Sequence, residues 1–478
     1  MTKTFIFLLC MILTVVTVQL SAREIEVPTD FSTIQAAIDA AQANDIILVL
    51  PGVYLERVQL KPDLILRSKG SDEVGVVGLK RAEITILDGG GNAGDAAGVT
   101  MAEGATLDGF TVSGMGYFDE ELWQQHWNEK GMNQSHEDIG RFSVPAISVS
   151  GWGCKVINNV VHHNGHTGIA IQGVDQKECS PFISGNVCYR NMGGGIGSMN
   201  GSTAMITNNI CFENFHAGIG HHNASPVVTG NDCYNNVRAG IGISNGASPV
   251  VRENRCHGNR RAGIGIRTGV NTRPVVEDND CYENGMAGIG CTEKSAPVLR
   301  SNRCYRNSLA GIGCSDHASP LVVGNHCYEN GAAGIGSESA SPTILHNRIE
   351  NNKSAGIGVS QQSKAHVAEN KCLENQLVAI GVRDRSEVVL KENVLTRTGG
   401  MPPIIAILDG SQAIVIDNLI TGGGVAGVLL QGNLIAARNR LEGQDGGSGI
   451  SIGKGSHATL KNNDISGYKH SINDQRDK

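Results

Sequence analysis

The feature that most limits what this chain can fold into is repetition. A unit reading N-x-C-Y-x-N-x-x-A-G-I-G-x-x-x-x-A-S-P-V-V-x-x recurs about every 23 residues through the middle of the chain, a period that marks a solenoid of stacked coils. Its first asparagine returns from Asn186, Asn209 and Asn231 to Asn370, and its second from Asn191, Asn214 and Asn236 to Asn375. The stretches between them, such as AGIGI and SPVV, run for a few residues before Asn, Gly, Ser or Pro interrupts, too short for a helix. Each unit therefore predicts one coil of short strands, stacked in parallel on the next about 4.8 Å away. Identical asparagines one above another can pass amide hydrogen bonds along the stack, and asparagine tolerates the left-handed backbone of a sharp turn. Both columns are predicted to be corners.

Other columns add detail. Cys188, Cys211, Cys233, Cys256, Cys281, Cys304 and Cys327 line up, and the column resumes at Cys372 after Ile349 stands in once. A position that accepts Ile for Cys is a buried apolar one, so these thiols are expected to be reduced and packed. A bridge between neighbours is within geometric reach, but a whole ladder cannot pair without straining its register. Alternation along the strand places Ile219 and position 221 inward, with Gly218, Gly220 and position 222 outward. The glycines, repeated at 240 and 242 and at 263 and 265, would make a smooth strip that a ligand could approach closely. Asp232, Arg255, Asp280 and Arg303 alternate in sign in another column and are expected to compensate one another between coils.

The chain has 478 residues, a formal charge of −7 and only 4% aromatic residues, so a thick globular core is excluded as its means of support. Mild acidity without a basic block argues against nucleic acid as a partner. Residues 1–22 carry one early lysine, an apolar run from Phe5 to Val18 and a small residue, Ala22, before Arg23, the pattern of a cleaved secretory signal. The run is shorter than the roughly 20 residues of a spanning helix. The mature protein is expected to be secreted or periplasmic, without a membrane span.

Together with the opening segment EVPTDFSTIQAAIDAAQANDIILVLPGVYLE, the N-x-C/I/V repeats closely resemble the right-handed parallel β-helix proteins of the pectin lyase-like superfamily, especially their Asn-rich carbohydrate-binding and sugar-hydrolase branch. The resemblance runs from about Glu24 to about residue 468. It implies an all-β fold: a single-stranded right-handed parallel β-helix forming one domain, 23–478. In that reading 23–60 holds the cap and first coil, with an amphipathic helix from Ser32 to Ala41 plugging the end; strands begin at Ile46 to Leu50 and Leu64 to Leu66. Regular repeats fill 143–390, and 391–478 holds looser coils and a polar tail. The superfold hosts lyases, hydrolases, epimerases, esterases, phage tailspikes and non-catalytic relatives, so the resemblance implies fold more than activity.

The pattern breaks in two places. Residues 114–142, GMGYFDEELWQQHWNEKGMNQSHEDIGRF, interrupt the coils with two of the chain's three tryptophans. Insertions of this kind map to one face of a solenoid, often the binding face. Tyr117, Trp123, His126 and Trp127 are the expected substrate contacts there, since flat rings with a polar edge suit sugars. A helix that covers a groove for packing reasons alone is the competing reading. The second break is a run of basic side chains two residues past the second asparagine: His166, Gly193, His216, Arg238 and Arg261, turning neutral at Met286 and Leu309. The column after the glycines reads Gln172, Met199, His222, Ser244 and Arg267 in the same coils. These two columns predict a cationic patch beside the glycine strip. His221 points the other way and is expected to be a partnered core histidine.

Such a patch suits an acidic polysaccharide. Cleaving or epimerising a uronate needs a cation to neutralise the carboxylate and a base to take the neighbouring carbon-bound proton. Arg238, Arg261 or Arg267 are candidates for the first and His222, His216 or His166 for the second, with Gln172 lining the site. Relatives of this chemistry often recruit Ca²⁺, but no acidic trio here matches such a motif. Hydrolysis would need two carboxyl groups about 5 to 9.5 Å apart, for which Asp119, Glu120, Glu121, Glu137 and Asp138 are the dense supply. Two further readings stay open: a non-catalytic glycan-binding or structural envelope solenoid, and a periplasmic metal protein. For the latter, His162, His163 and His166, with His126, His136, His221 and His222, are concentrated, and similar relatives are associated with copper delivery, although HHNGH is no established metal spacing.

Overall fold

A computed structural model describes residues 22–92, 94–132, 134, 144–174 and 177–476. Residues 1–21, and with them nearly all of the expected signal, lie outside it, as do His136, Glu137 and Asp138. The described chain winds into an all-β parallel solenoid, a right-handed β-helix of three sheets, with 18 strands in the first and 17 in each of the others. Within one coil the path runs from sheet 1 (Val227–Thr229) to sheet 2 (Asp232–Tyr234) to sheet 3 (Ile241–Ser244). Every strand pairs in parallel with its counterpart one coil on, as Val227 with Val250, Asp232 with Arg255 and Ile241 with Ile264. Among the described residues no helix is long and apolar enough to cross a membrane.

Alternation within these strands fills the lumen. Val228, Cys233, Ile241 and Ile243 all point inward at 1% exposure or less, and one apolar core extends from Ile25 to Ile452. The cysteine column is in register from Cys188 to Cys327, passes through Ile349 to Cys372, and is reduced and buried throughout.

Helix α1 (Ile34–Ala40) plugs the first coil, somewhat shorter than expected: the Thr33 hydroxyl accepts from Ala36 N at 3.2 Å, and Ile34, Ala37 and Ile38 are completely buried. A short helix, α2 (Lys80–Ile84), carries Arg81 into the wall at 1% exposure. There its Nη2 meets Asp108 Oδ1 at 2.6 Å and its Nη1 donates to Asp108 O at 2.8 Å.

The asparagine columns form the corners and are longer than the repeat pattern indicates. In the first, the Asn231 amide donates to Asn254 Oδ1 at 2.9 Å and the Asn231 backbone N–H to the same oxygen at 2.9 Å; the ladder runs from Asn159 to Asn463. The second runs from Asn164 to Asn375. Each inner rung also donates to a carbonyl, as Asn236 Nδ2 does to Cys211 O, so these buried amides are satisfied and hold adjacent coils in register. One expectation is corrected. The left-handed residue is the one before the ladder asparagine: Asn208, Glu253 and Asp278 take φ of 54°, 57° and 54°. Placing the strained residue outside leaves the ladder amide free to aim along the axis.

The glycine columns need a second correction. Gly218 is buried, and a β-carbon on it would stand 2.8 Å from Gly240 O and 2.9 Å from Asn236 Nδ2. Its column packs inward against the corner ladder. Gly220 faces out, with nothing within 4 Å of a β-carbon. The smooth strip is one glycine wide, formed by Gly197, Gly220, Gly242 and Gly265 in register on sheet 3.

Candidate functional site

The two basic columns flank this strip as alternation requires. Backbone hydrogen bonds stack the first: Gly193 N to His166 O, His216 N to Gly193 O, Arg238 N to His216 O and Arg261 N to Arg238 O, each 3.0–3.3 Å. On the other side Gln172, Met199, His222 and Ser244 are register partners, and Arg267 N continues to Ile243 O at 3.0 Å. His166, His216, Arg238, Arg261, Arg267 and Gln172 are half-buried, whereas His222 is exposed.

Electrostatics separate this site from the rest of the surface. Burial first, then the charges of Arg261 and Arg267, hold the Arg238 guanidinium down to about 10. Arg261 is lowered by burial and by Arg267. Among the described residues neither Arg238 nor Arg261 pairs with a carboxylate, so like charges accumulate here. Arg261 is held in place by donating through Nη2 to Gly131 O.

The histidines are more constrained than the sequence suggests. Arg238 Nη1 can only donate, so His216 Nε2, 2.5 Å away, must accept. Asn245 Nδ2 likewise donates to His222 Nδ1 at 2.9 Å, which leaves the proton of the neutral ring on Nε2. Burial lowers the pKa of His166. His221 does point inward, at 3% exposure, but among the described residues neither ring nitrogen finds a partner, and burial pushes its pKa down to about 3. The expected partnered core histidine is thus an unpartnered one, above which lies the hydrogen-bonded pair Ser198 and Ser202.

The insertion contributes helix α3 (Glu120–Asn128), which lies along the second corner. Trp123 and His126 are buried at 3% and 6% exposure and do not form an open platform for a ligand. Trp123 Nε1 donates to Glu213 O at 2.8 Å, and its ring packs with Met192, Phe215 and Val237. Arg190 sits over Trp123 and Arg260 over Trp127, each 4.7 Å from the ring centroid, and the two indoles stack at 5.4 Å. Trp127 is half-buried and Tyr117 is 52% exposed; the backbone of Tyr117 lies against Gly165, beside His166. Two of the five carboxylates considered for hydrolysis have other tasks: Asp119 caps α3 by accepting from Leu122 N at 3.0 Å, and Glu120 pairs with Arg190 at 2.7 Å. A signal for this docking was present in the sequence. The residue after the second ladder asparagine is apolar at Met192, Phe215 and Val237 but Gly285, Ser308 and Gly331 farther on.

Sequence reasoning also missed the outer face of sheet 2. There His162, Tyr189, Phe212, Tyr234, His257, Tyr282, Tyr305 and Tyr328 stack ring on ring, with centroids 4.7–5.1 Å apart and planes within 25°. The expected charge ladder runs beside it, pairing Arg255 with Asp232 and Arg303 with Asp280. A polar depression of about 670 Å³ at the third corner, lined by His317, Gln361, Lys364, Asp384, Arg385 and Asp409, mixes both signs and lacks the like-charge crowding at Arg238. Among the described residues no three His, Cys, Asp or Glu side chains converge as a metal site; His162 Nδ1 instead meets His163 Nδ1 at 2.8 Å.

A family model described as right handed beta helix region matches residues 138–273, 254–372 and 321–438. No curated protein matches the chain. Among solved structures it is similar to the A-module of the Azotobacter vinelandii mannuronan C-5 epimerase AlgE4 (14% identity, 92% of each chain, TM-score 0.34). It is also similar to the periplasmic alginate epimerase AlgG (14% identity, 80% of each chain, TM-score 0.37) and to the pre-mature bacteriophage phi29 gene product 12 (11% identity, 89% of this chain and 70% of that one, TM-score 0.44). Likenesses at this level carry no information on activity.

Proposed function

The chain belongs to the right handed beta helix region family, and on that premise we propose that the glycine strip of sheet 3 is the floor of a groove that binds an acidic polysaccharide lying along the solenoid axis. The observation that carries this reading is the stacking of His216, Arg238 and Arg261 in successive coils beside the strip, where among the described residues neither Arg238 nor Arg261 pairs with a carboxylate and their like charges lower the Arg238 guanidinium. Stacked coils set these cations a few ångströms apart along the axis, so successive anionic units of one polymer can meet successive guanidinium groups. Gly220 and Gly242 allow the sugar rings to approach the backbone, and Tyr117 offers an exposed ring at the end nearest His166. The N-terminal pattern supports export, which would bring the groove to polymers outside the cytoplasm.

A second reading adds chemistry to this binding: proton abstraction beside the uronate carboxylate, as a lyase or an epimerase performs. Its support is that His222 is exposed on the rim of the same strip. A carboxylate neutralised by arginine acidifies the adjacent C–H, and His222 would act as base through Nε2 in the neutral tautomer that carries its proton on Nδ1, which requires Nδ1 to release the bond it accepts from Asn245. Titration calorimetry with a polyuronate and a neutral glucan tests the first reading. Binding of the polyuronate alone is expected, weakening with salt and lost in Arg238→Ala/Arg261→Ala; equal binding of both polymers would contradict it. Ultraviolet absorbance of unsaturated products, and uptake of deuterium at the sugar carbon, test the second. Neither signal should survive His222→Ala, and their absence from the wild type leaves a binding protein.

A further inference from the structure

The outer face of sheet 1 carries, beside a short column of paired charges, a column that is neither glycine nor charged. The position after the recurring proline points outward there, and it is apolar in coil after coil, from Phe182 and Met205 through Val250 and Val275 to Leu321. Register pairing joins these side chains into one ribbon. After Thr343 and His366 it resumes with Val389, Ile414 and Ile435. Phe182, Met205, Ile414 and Ile435 are 37%, 47%, 38% and 49% exposed. Small residues border much of one side, among them Ser248, Ala296 and Ser319, interrupted by Arg273 and Lys364, and on the other Arg252 and Arg300 flank Glu277, which pairs with Arg300.

We propose that this ribbon is a self-association surface on which a second copy of the chain seats its own ribbon. The apolar side chains have no polar atoms with which to orient a sugar, so a glycan laid on them would leave its hydroxyls unmatched. What fits is another flat sheet with the same rise, because facing sheets pack about 10 Å apart and interdigitate their side chains when their strands are nearly aligned. The same sheet on a second molecule meets both conditions. At about 4.8 Å per coil the ribbon is about 50 Å long, and with its small-residue border about 15 Å wide, giving about 800 Å² on each partner, the size of a specific interface. Sheet 3 lies on another face, so a pair joined this way keeps both glycine strips accessible.

Sedimentation velocity of the full chain from about 1 to about 100 µM tests the proposal, over the range in which a reversible dimer of this size changes its population. The wild type should shift from monomer to dimer. Val250→Lys/Val298→Lys, at outward positions, should stay monomeric with an unchanged circular dichroism spectrum. If that variant does not fold, the shape-conserving Val250→Thr/Val298→Thr should weaken the dimer about tenfold instead. A wild type that remains monomeric at the highest concentration overturns the proposal, and so does a dimer that persists unchanged in both variants.

Discussion

Two columns of charge on this solenoid obey opposite rules. On sheet 2, Asp232, Arg255, Asp280 and Arg303 alternate in sign and pair between coils. Burial pushes the Asp232 carboxyl up, but the hydrogen bond from His257 and the charge of Arg255 outweigh it and hold the group below its ordinary range. Beside the glycine strip of sheet 3, Arg238, Arg261 and Arg267 crowd one another, and Arg238 is driven down to about 10. A stack places like residues above like at every position, so charge either cancels by alternation or accumulates. Cancelled charge serves the wall; accumulated charge is, in the function proposed above, held for an anion.

The comparison extends to a buried pair, where breaking compensation should have the largest effect. Arg81→Ala empties a fully buried site and removes two charge-assisted bonds to Asp108, which keeps Arg67 and Asn158 as partners, and should destabilise the protein by about 2–5 kcal/mol in chemical denaturation. A loss below about 1 kcal/mol would mean that Arg67 and Asn158 compensate Asp108 without Arg81. The glycine columns come next. Gly218→Ala forces a β-carbon against Gly240 O and Asn236 and should cost about 1–3 kcal/mol, whereas Gly220→Ala, facing open space, should stay within about 0.5 kcal/mol. Equal costs would show that the strip does not face outward.

How much of this was legible in the sequence follows from what a repeat encodes. Period and alternation specify position, so the corners, the inward cysteines, the Asp–Arg ladder and the basic columns are where column counting puts them. Interactions between columns are not written in a single period. The inward turn of Gly218 depends on the Asn236 amide of the next coil, and the burial of Trp123 depends on Met192, Phe215 and Val237 from three coils. The stacking of Tyr282 on Tyr305 requires rings to be eclipsed, which their recurrence permits but does not state. His221 is the instructive case: alternation gave its direction correctly, while its lack of a partner depends on its neighbours in space.

That lack yields a smaller effect. His221→Ile, matching Ile243 in the next coil, removes two unsatisfied nitrogens and should stabilise the protein by about 1–3 kcal/mol. Its ordinary value near 6.5 falls to about 3 on folding, so the unfolded chain takes up a proton in that window and the folded chain does not. The wild type should therefore lose stability as pH falls from 6.5 towards 3, and the variant should lose less in denaturant titrations at pH 7 and pH 4.5; parallel losses would place a partner beside His221. The smallest effect is expected in the compensated ladder. Asp280→Asn, breaking a pair whose arginine is 58% exposed, should change stability by less than about 1 kcal/mol and leave ligand binding untouched.

The proposal that the stacked Arg238 and Arg261 are held for an anionic polymer is tested most directly by one pair of titrations, with a polyuronate and with the same polymer after methyl esterification. Esterification removes the charge and keeps the sugar. The acid form is expected to bind and the ester to lose at least about tenfold in affinity, the minimum from breaking a charge-assisted contact. Equal affinity for the two would contradict the account, since it would show that the groove recognises sugar without regard to its charge.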